Sequence, residues 1–157
     1  MDLKGAYTFL NALDGKIQEL GMDTTVMEGI GSPQIGDTLR ILMPVTQEGH
    51  PVIAEFMVME MAEDYDLLMI YTTVLSSLGG KKSELPEKLI EWNMNCPMGH
   101  YGIYEEEGQL YHKYSLPFLV DTDPAVLADH ALDLLTLIYE VLSNKYPELS
   151  AYGISGD

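Results

Sequence analysis

Apolar residues recur every three or four positions through the first 20 residues, which is the spacing of one face of an α-helix. The stripe begins at Leu3 and ends at Leu20, just before Gly21, a residue type that commonly ends helices. Gly5 and Gly15 lower the intrinsic stability of this segment, so packing has to hold it. The pattern predicts an amphipathic first helix with a buried stripe of Leu3, Tyr7, Leu10, Leu13, Ile17 and Leu20.

Strand patterns dominate the next part of the chain. A stretch rich in glycine, proline and small polar residues, 22–37, predicts a connection that holds one short strand around Val26. Apolar or alternating runs with many β-branched residues follow at 38–45, 51–61 and 66–75. The short polar separators between these runs favour antiparallel hairpins, because parallel neighbours need a crossover of about a dozen residues or more.

A second, shorter helix is predicted after the third strand run. Pro86 suits the start of a helix, where its missing backbone N–H costs little, and Ser83 or Leu85 would cap that start. Pro97 and Gly99 then end the helix.

The last part of the chain predicts a hairpin followed by a long helix. The hairpin spans 100–116 and turns near Gly108, which can adopt a positive φ. Asp121 or Asp123 would cap the helix, with Pro124 at its favoured first position. The apolar face of this helix consists of Val126, Leu127, Ala131, Leu134, Leu135, Ile138 and Leu142.

The element order is helix, three strands, helix, two strands, helix. This order predicts an α+β fold in which helices are laid on an antiparallel sheet of about five strands. Tyr146-Pro147 would close the last helix, so we expect one domain over 1–157 with its core at 3–146 and a flexible tail at 147–157.

Composition narrows the classes of partner. The chain has 25 Asp and Glu against 8 Lys and Arg, and its formal charge of −17 repels phosphate backbones and anionic lipid surfaces. We therefore expect no nucleic-acid or membrane partner, and no run of apolar residues is long enough for a membrane helix. Cys96 is the sole cysteine, which excludes an intramolecular disulfide and favours a cytoplasmic location.

The short helix and the hairpin carry a resemblance to a known family. "LIEWN" at 89–93 leads through a glycine to "YGIYEEEGQLYHKYSL" at 101–116, and together with the element order this resembles the YbjN-like family of bacterial sensory-transduction regulators. That family is similar in fold to the small chaperones of type III secretion systems. The resemblance implies a homodimer that binds protein segments or modulates other proteins, and it assigns no individual functional residue.

Methionines on the second strand run are the candidate interaction residues. Met57, Met59 and Met61 project from one side of the strand, because side chains alternate with a period of two. Met69 and Tyr71 extend this side on the next strand. Flexible thioethers suit an adaptable partner surface, but methionines in such a pattern more often fill a core beneath helices or a subunit seam.

Residues with catalytic or metal-binding chemistry form no recognisable set. Cys96 and His100 lie four residues apart, but a nucleophilic thiolate also needs an orienting group, and a structural zinc site needs four ligands. The glycine-rich stretch 29–36 lacks the lysine of a phosphate loop, and His50, His112 and His130 share no ligand spacing. We therefore expect neither an enzyme nor a bound cofactor or metal.

These observations favour a non-enzymatic homodimeric interaction module, chaperone-like or regulatory, that binds a protein segment. The alternative is a regulatory domain that senses a small ligand in a pocket between the sheet and the helices.

Overall fold

The computed structural model describes residues 1, 3–27, 37–45 and 51–154 of the chain. Within these ranges the protein has three α-helices, which are α1 (Leu3–Glu19), α2 (Leu85–Asn95) and α3 (Pro124–Leu149). The strands are β1 (Thr24–Met27), β2 (Thr38–Pro44), β3 (Pro51–Glu60), β4 (Tyr65–Leu75), β5 (His100–Tyr104) and β6 (Gln109–Leu119). Short 3-10 turns precede α2 at Lys82–Glu84 and follow α3 at Ser150–Tyr152.

The strands form one antiparallel sheet in the order β1-β2-β3-β4-β6-β5. The predicted α+β class and antiparallel sheet are therefore confirmed. The described part of the sheet has six strands rather than about five, and the additional one is β1, the short strand predicted around Val26. Gly108 adopts a φ of +63° in the turn between β5 and β6, as the hairpin prediction requires.

All three helices lie on one face of the sheet, which we call the inner face. Its side chains alternate along the strands with those of the opposite face, and they join α1 and α3 in a single hydrophobic core. Phe56 and Ile70 on the two central strands are fully buried there, as are Leu13 of α1 and Ile138 of α3. On the same two strands Glu55, Met57 and Tyr71 face the other way. Asp66 is a charged residue on the inner side of β4, where it is buried and pairs with the N-terminal amine of Met1.

The first helix buries a slightly different stripe from the predicted one. Leu10, Leu13 and Ile17 are buried as expected, and Phe9 joins them. Tyr7 and Leu20 are exposed, which corrects the prediction. Because an α-helix turns by about 100° per residue, the side chain of Tyr7 lies to one side of the buried face. Leu20 follows Glu19, the last residue of the helix.

The other two helices begin in different ways, because a side chain caps α3 but not α2. Asp123 caps α3, because its Oδ1 accepts a hydrogen bond from the backbone N–H of Ala125 at 2.8 Å. The predicted cap of α2 is wrong: the N-cap residue is Glu84, which provides no side-chain hydrogen bond, so neither Ser83 nor Leu85 serves. The preceding 3-10 turn leads directly into α2 and takes the place of a side-chain cap.

The last helix continues past the position where it was predicted to end. Pro147 lies inside α3, and the chain after it packs on the body through buried Leu149 and Tyr152. The Tyr152 ring meets the edge of Trp92 at 5.5 Å, and the Tyr152 carbonyl accepts from the Gly79 N–H at 2.8 Å. Residues 147–154, where a flexible tail was expected, are therefore part of α3 and of the packed segment that follows it, and 155–157 lie outside the described residues. Burial of these side chains offsets the cost of a proline within the helix.

Packing after Pro147 predicts a large loss of stability when Leu149 is shortened. Leu149→Ala should lower the free energy of unfolding by about 2–5 kcal/mol, as for other buried leucines. Leu137→Ala, the same change at a 52% exposed site of the same helix, should change it by less than about 1 kcal/mol. Urea unfolding followed by circular dichroism measures both values. Equal small effects of the two variants would mean that Leu149 belongs to a flexible tail.

Candidate interaction surface and groove

The face of the sheet opposite the helices is uncovered by any described element, and we call it the open face. Methionine and leucine side chains occupy one end of it, and polar and aromatic side chains occupy the other. Its central members are Arg40, Ile53, Glu55, Met57, Met59, Leu67, Met69, Tyr71, Tyr111 and Lys113.

Four of the five predicted interaction residues lie together on the open face. Met57 is the cross-strand neighbour of Met69, and Met59 pairs with Leu67 in the same ladder. Tyr71 follows two residues after Met69 and projects to the same side. Met61 does not join them, because β3 ends at Glu60 and Met61 lies beyond it with 64% of its surface exposed.

The alternative in which these methionines fill the core beneath the chain's own helices is wrong. Met57 and Met59 are half-buried and Met69 is buried, yet none belongs to the helix-covered core. They project from the side of β3 and β4 opposite Phe56 and Ile70. The methionine end of the open face is therefore a largely half-buried apolar surface on the side of the sheet opposite the helix-covered core.

The middle of the open face holds an ion pair and a pair of stacked rings. Glu55 Oε1 accepts from Arg40 Nε at 3.0 Å and from Arg40 Nη2 at 2.8 Å. Tyr71 stacks on Tyr111 with ring centroids 4.9 Å apart. Partial burial, reinforced by Tyr111 and Glu55, raises the pKa of Tyr71 to about 12, so the phenol stays neutral and can donate a hydrogen bond.

A second candidate site is an open groove of ≈ 630 Å³ between the end of α2 and the outer part of α3. Its lining is mainly apolar and aromatic, with a few polar groups. The lining residues are Trp92, Asn95, Cys96, Pro97, Met98, Tyr101, Tyr114, Leu134, Leu137, Glu140, Val141, Asn144 and Lys145.

The inner wall of the groove is held by α2. Asn93 and Tyr101 exchange two hydrogen bonds, one from the Tyr101 N–H to Asn93 Oδ1 at 2.7 Å and one from Asn93 Nδ2 to the Tyr101 carbonyl at 2.9 Å. Trp92 Nε1 donates to Glu148 Oε1 at 2.7 Å, and Lys145 Nζ lies 5.6 Å from the Trp92 ring centroid. A hydrogen bond from Lys145 lowers the pKa of Glu148, so this carboxylate stays charged and anchors the indole.

Cys96 lies beside His112 and not beside His100, the histidine nearest to it in the sequence. Cys96 Sγ is 3.9 Å from His112 Nε2, and His100 is exposed on the opposite face of the hairpin. Gly99, with a φ of +73°, permits this contact, because a Cβ there would lie 2.7 Å from the imidazole ring. The alternation of β6 places His112 inward, but the sequence did not indicate which loop would meet it.

The geometry of this pair does not suit nucleophilic chemistry. His112 Nε2 donates to the Met98 carbonyl at 2.8 Å, and the Cys96 thiol also donates to that carbonyl at 3.1 Å. An imidazole nitrogen that carries a proton cannot accept one from the thiol. His112 Nδ1 and its cross-strand neighbour Thr72 Oγ1 are buried without a partner among the described residues. Cys96 and His112 therefore hold the 96–99 loop against β6.

Among the residues that the structure describes, no three His, Cys, Asp or Glu side chains are grouped to hold a metal ion. None of the helices in the described ranges combines the length and the apolar character that crossing a membrane requires. The glycine-rich stretch 29–36 and His50 lie outside the described residues.

A scan against protein-family models finds no match to this chain, and a search of curated proteins finds no relative.

Because His112 is buried, we expect the folded protein to lose stability when the pH falls far enough to protonate this histidine. Burial lowers the pKa of His112 below its ordinary value of 6.5, so the unfolded chain binds a proton at a higher pH than the folded chain does. The contribution of neutral His112 is complete above about pH 6.5 and is lost as the pH falls from there toward the folded-state pKa. We expect His112→Gln to lose less stability than the wild type between about pH 7.5 and about pH 5.5.

His130→Gln is the control for this measurement, since His130 is exposed on α3 and the charge change is the same. It should keep the wild-type pH dependence of the free energy of unfolding. If the free energy of unfolding of His112→Gln depended on pH as that of the wild type does, the buried imidazole would not contribute to the loss of stability in acid.

Proposed function

We propose that this chain is a non-enzymatic protein-interaction module, chaperone-like or regulatory, that acts in the cytoplasm as a homodimer and binds a segment of a partner protein. In this proposal the methionine end of the open face pairs two protomers. The polar and aromatic end, around Arg40, Glu55 and Tyr71, receives the partner segment.

The observation that carries the proposal is the one-sided arrangement of the helices. Three helices cover the inner face, whereas Met57, Met59, Leu67 and Met69 lie on the face that no described element covers. Contiguous apolar surfaces of this kind on a folded protein are typical of interfaces with other chains. Methionine suits such an interface because its flexible thioether repacks against different partners.

Two further points support an interaction role. The resemblance of 89–93 and 101–116 to the YbjN-like family, whose fold is similar to that of secretion chaperones, implies dimeric proteins that bind protein segments. The contact of Cys96 with His112 lacks a nitrogen able to accept the thiol proton, which removes the best candidate for nucleophilic catalysis.

The proposal predicts that a charge in the methionine end separates the protomers. Met57→Glu should weaken self-association about tenfold or more, because a carboxylate buried at an apolar interface without a partner is strongly disfavoured. Sedimentation equilibrium over a wide concentration range measures the dissociation constant, and circular dichroism checks that the variant is folded.

Met94→Glu is the matched control, because Met94 has the same side chain, is 81% exposed and lies on α2, away from the open face. It should leave the dimer intact. A wild-type chain that stays monomeric at every concentration, or equal effects of the two variants, would overturn pairing through Met57.

The groove favours a second candidate function, a domain that senses a small apolar ligand. Its ≈ 630 Å³ volume lies within the range of small-molecule sites, and Trp92, Tyr101 and Leu137 provide apolar walls beside the polar groups of Asn144 and Lys145. The groove opens to solvent at its α3 side, where Leu137 is exposed.

This second function predicts binding of a neutral apolar probe in the groove. N-phenyl-1-naphthylamine should fluoresce strongly when bound, and Leu137→Trp, which fills the groove, should weaken its binding about tenfold. Val126→Trp places the same ring at an exposed site of α3 that does not line the groove, and should leave binding unchanged. Equal binding by both variants would show that the probe binds elsewhere.

A further inference from the structure

A cup of ≈ 410 Å³ opens at the polar end of the open face. It lies where the register of β4 against β6 shifts between Thr73 and Leu75, close to the turn that joins β5 to β6. Two carboxylates, Glu55 and Glu107, and two phenol rings, Tyr71 and Tyr104, contribute to its wall.

The two carboxylates differ in how far they are already neutralised. Glu55 is paired with Arg40, but both hydrogen bonds from Arg40 fall on Oε1. Glu107 is exposed and has no hydrogen bond or ion pair among the described residues. With one cation and two carboxylates in its wall, the cup has a net negative charge, and Glu107 is the carboxylate available to a new partner.

The aromatic part of the wall favours a cation as well. Tyr104 is 45% exposed, so a ligand can reach its ring, and the Tyr71 ring is held in place by its stack on Tyr111. Burial is the largest cause of the raised pKa of Tyr71, and the charges of Glu55 and Glu107 raise it further. Their effect is consistent with a negative potential at the cup. Lys113, which faces Tyr71 from β6, does not line the cup.

We infer that this cup binds a basic side chain, an arginine or a lysine, of the partner segment. The inference rests on the proposed function, because it supplies the chemistry by which the open face would recognise that segment. The cation lies against the rings of Tyr104 and Tyr71 and pairs with Glu107, while Arg40 keeps Glu55 in position. The overall charge of −17 attracts such a basic segment over a longer range.

The test uses small probes that carry only the side chain. N-acetyl-arginine amide and N-acetyl-lysine amide are titrated into the ¹⁵N-labelled full chain, with N-acetyl-norleucine amide as the uncharged probe. We expect the basic probes to give saturable shifts of the amide signals of Glu55, Tyr71, Tyr104 and Glu107, and norleucine amide to give none. Glu107→Gln should weaken the binding by about twofold to fivefold, as expected for the loss of one exposed ion pair.

Glu106→Gln is the matched control, because it removes the same charge from the same turn at a residue that does not line the cup. It should bind the basic probes as the wild type does. Equal losses in Glu106→Gln and Glu107→Gln would reduce the effect to general electrostatic attraction, and an absence of saturable shifts would overturn the inference. Neither result would affect dimerisation through Met57, so the failure of this inference is distinguishable from the failure of the proposed function.

Discussion

Burial of the inner face of the sheet beneath α1 and α3 is the interaction on which the rest of the structure depends. Leu39, Phe56, Ile70 and Leu110, one from each of four strands, are fully buried there. Each side chain of this kind contributes about 1.5–3 kcal/mol when it leaves water. Because strand side chains alternate, this burial also determines which side chains the opposite face presents. The open face is thus a direct consequence of how the core is built.

The same arrangement explains the groove. The α2 helix is short and packs beside β5 at the edge of the sheet through Asn93, Trp92 and the Tyr101 backbone. The much longer α3 runs past it, and the space between the two helices is closed at its base by the 96–99 loop. The contact of Cys96 and His112 with the Met98 carbonyl holds that loop. A buried imidazole therefore has a structural role at the floor of a candidate site.

Features set by local chemistry could be predicted from the sequence. The strand alternation, the Gly108 turn and a cap at Asp121 or Asp123 depend on neighbouring residues. The structure shows the alternation and the turn as expected and selects Asp123 as the cap. The alternation also grouped Met57, Met59 and Met69 correctly. It could not show which side of the sheet the helices cover, because methionine is equally suited to a core and to an interface.

Features that depend on distant contacts could not be predicted in the same way. The approach of Cys96 to His112 depends on the β5–β6 register and on Gly99. The helix continues past Pro147 because Leu149 is buried in the core and Tyr152 contacts Trp92 and Gly79, which are far away in sequence. The cup likewise combines β2, β3, β4 and the hairpin turn. No local pattern contains this information, since tertiary packing overrides the local preference.

The most direct test of the central claim measures the solvent exposure of the methionine methyl groups. The chain has 10 methionines, and methyl-labelled protein can be examined by NMR with a soluble paramagnetic agent at low and at high protein concentration. The account predicts that Met57 and Met59 are broadened by the agent in dilute protein and protected in concentrated protein. Met43 in the core should be protected throughout, and Met94 on α2 exposed throughout. If Met57 and Met59 are as protected as Met43 in the dilute monomer, or stay as exposed as Met94 at every concentration, the open face is not the surface through which protomers pair.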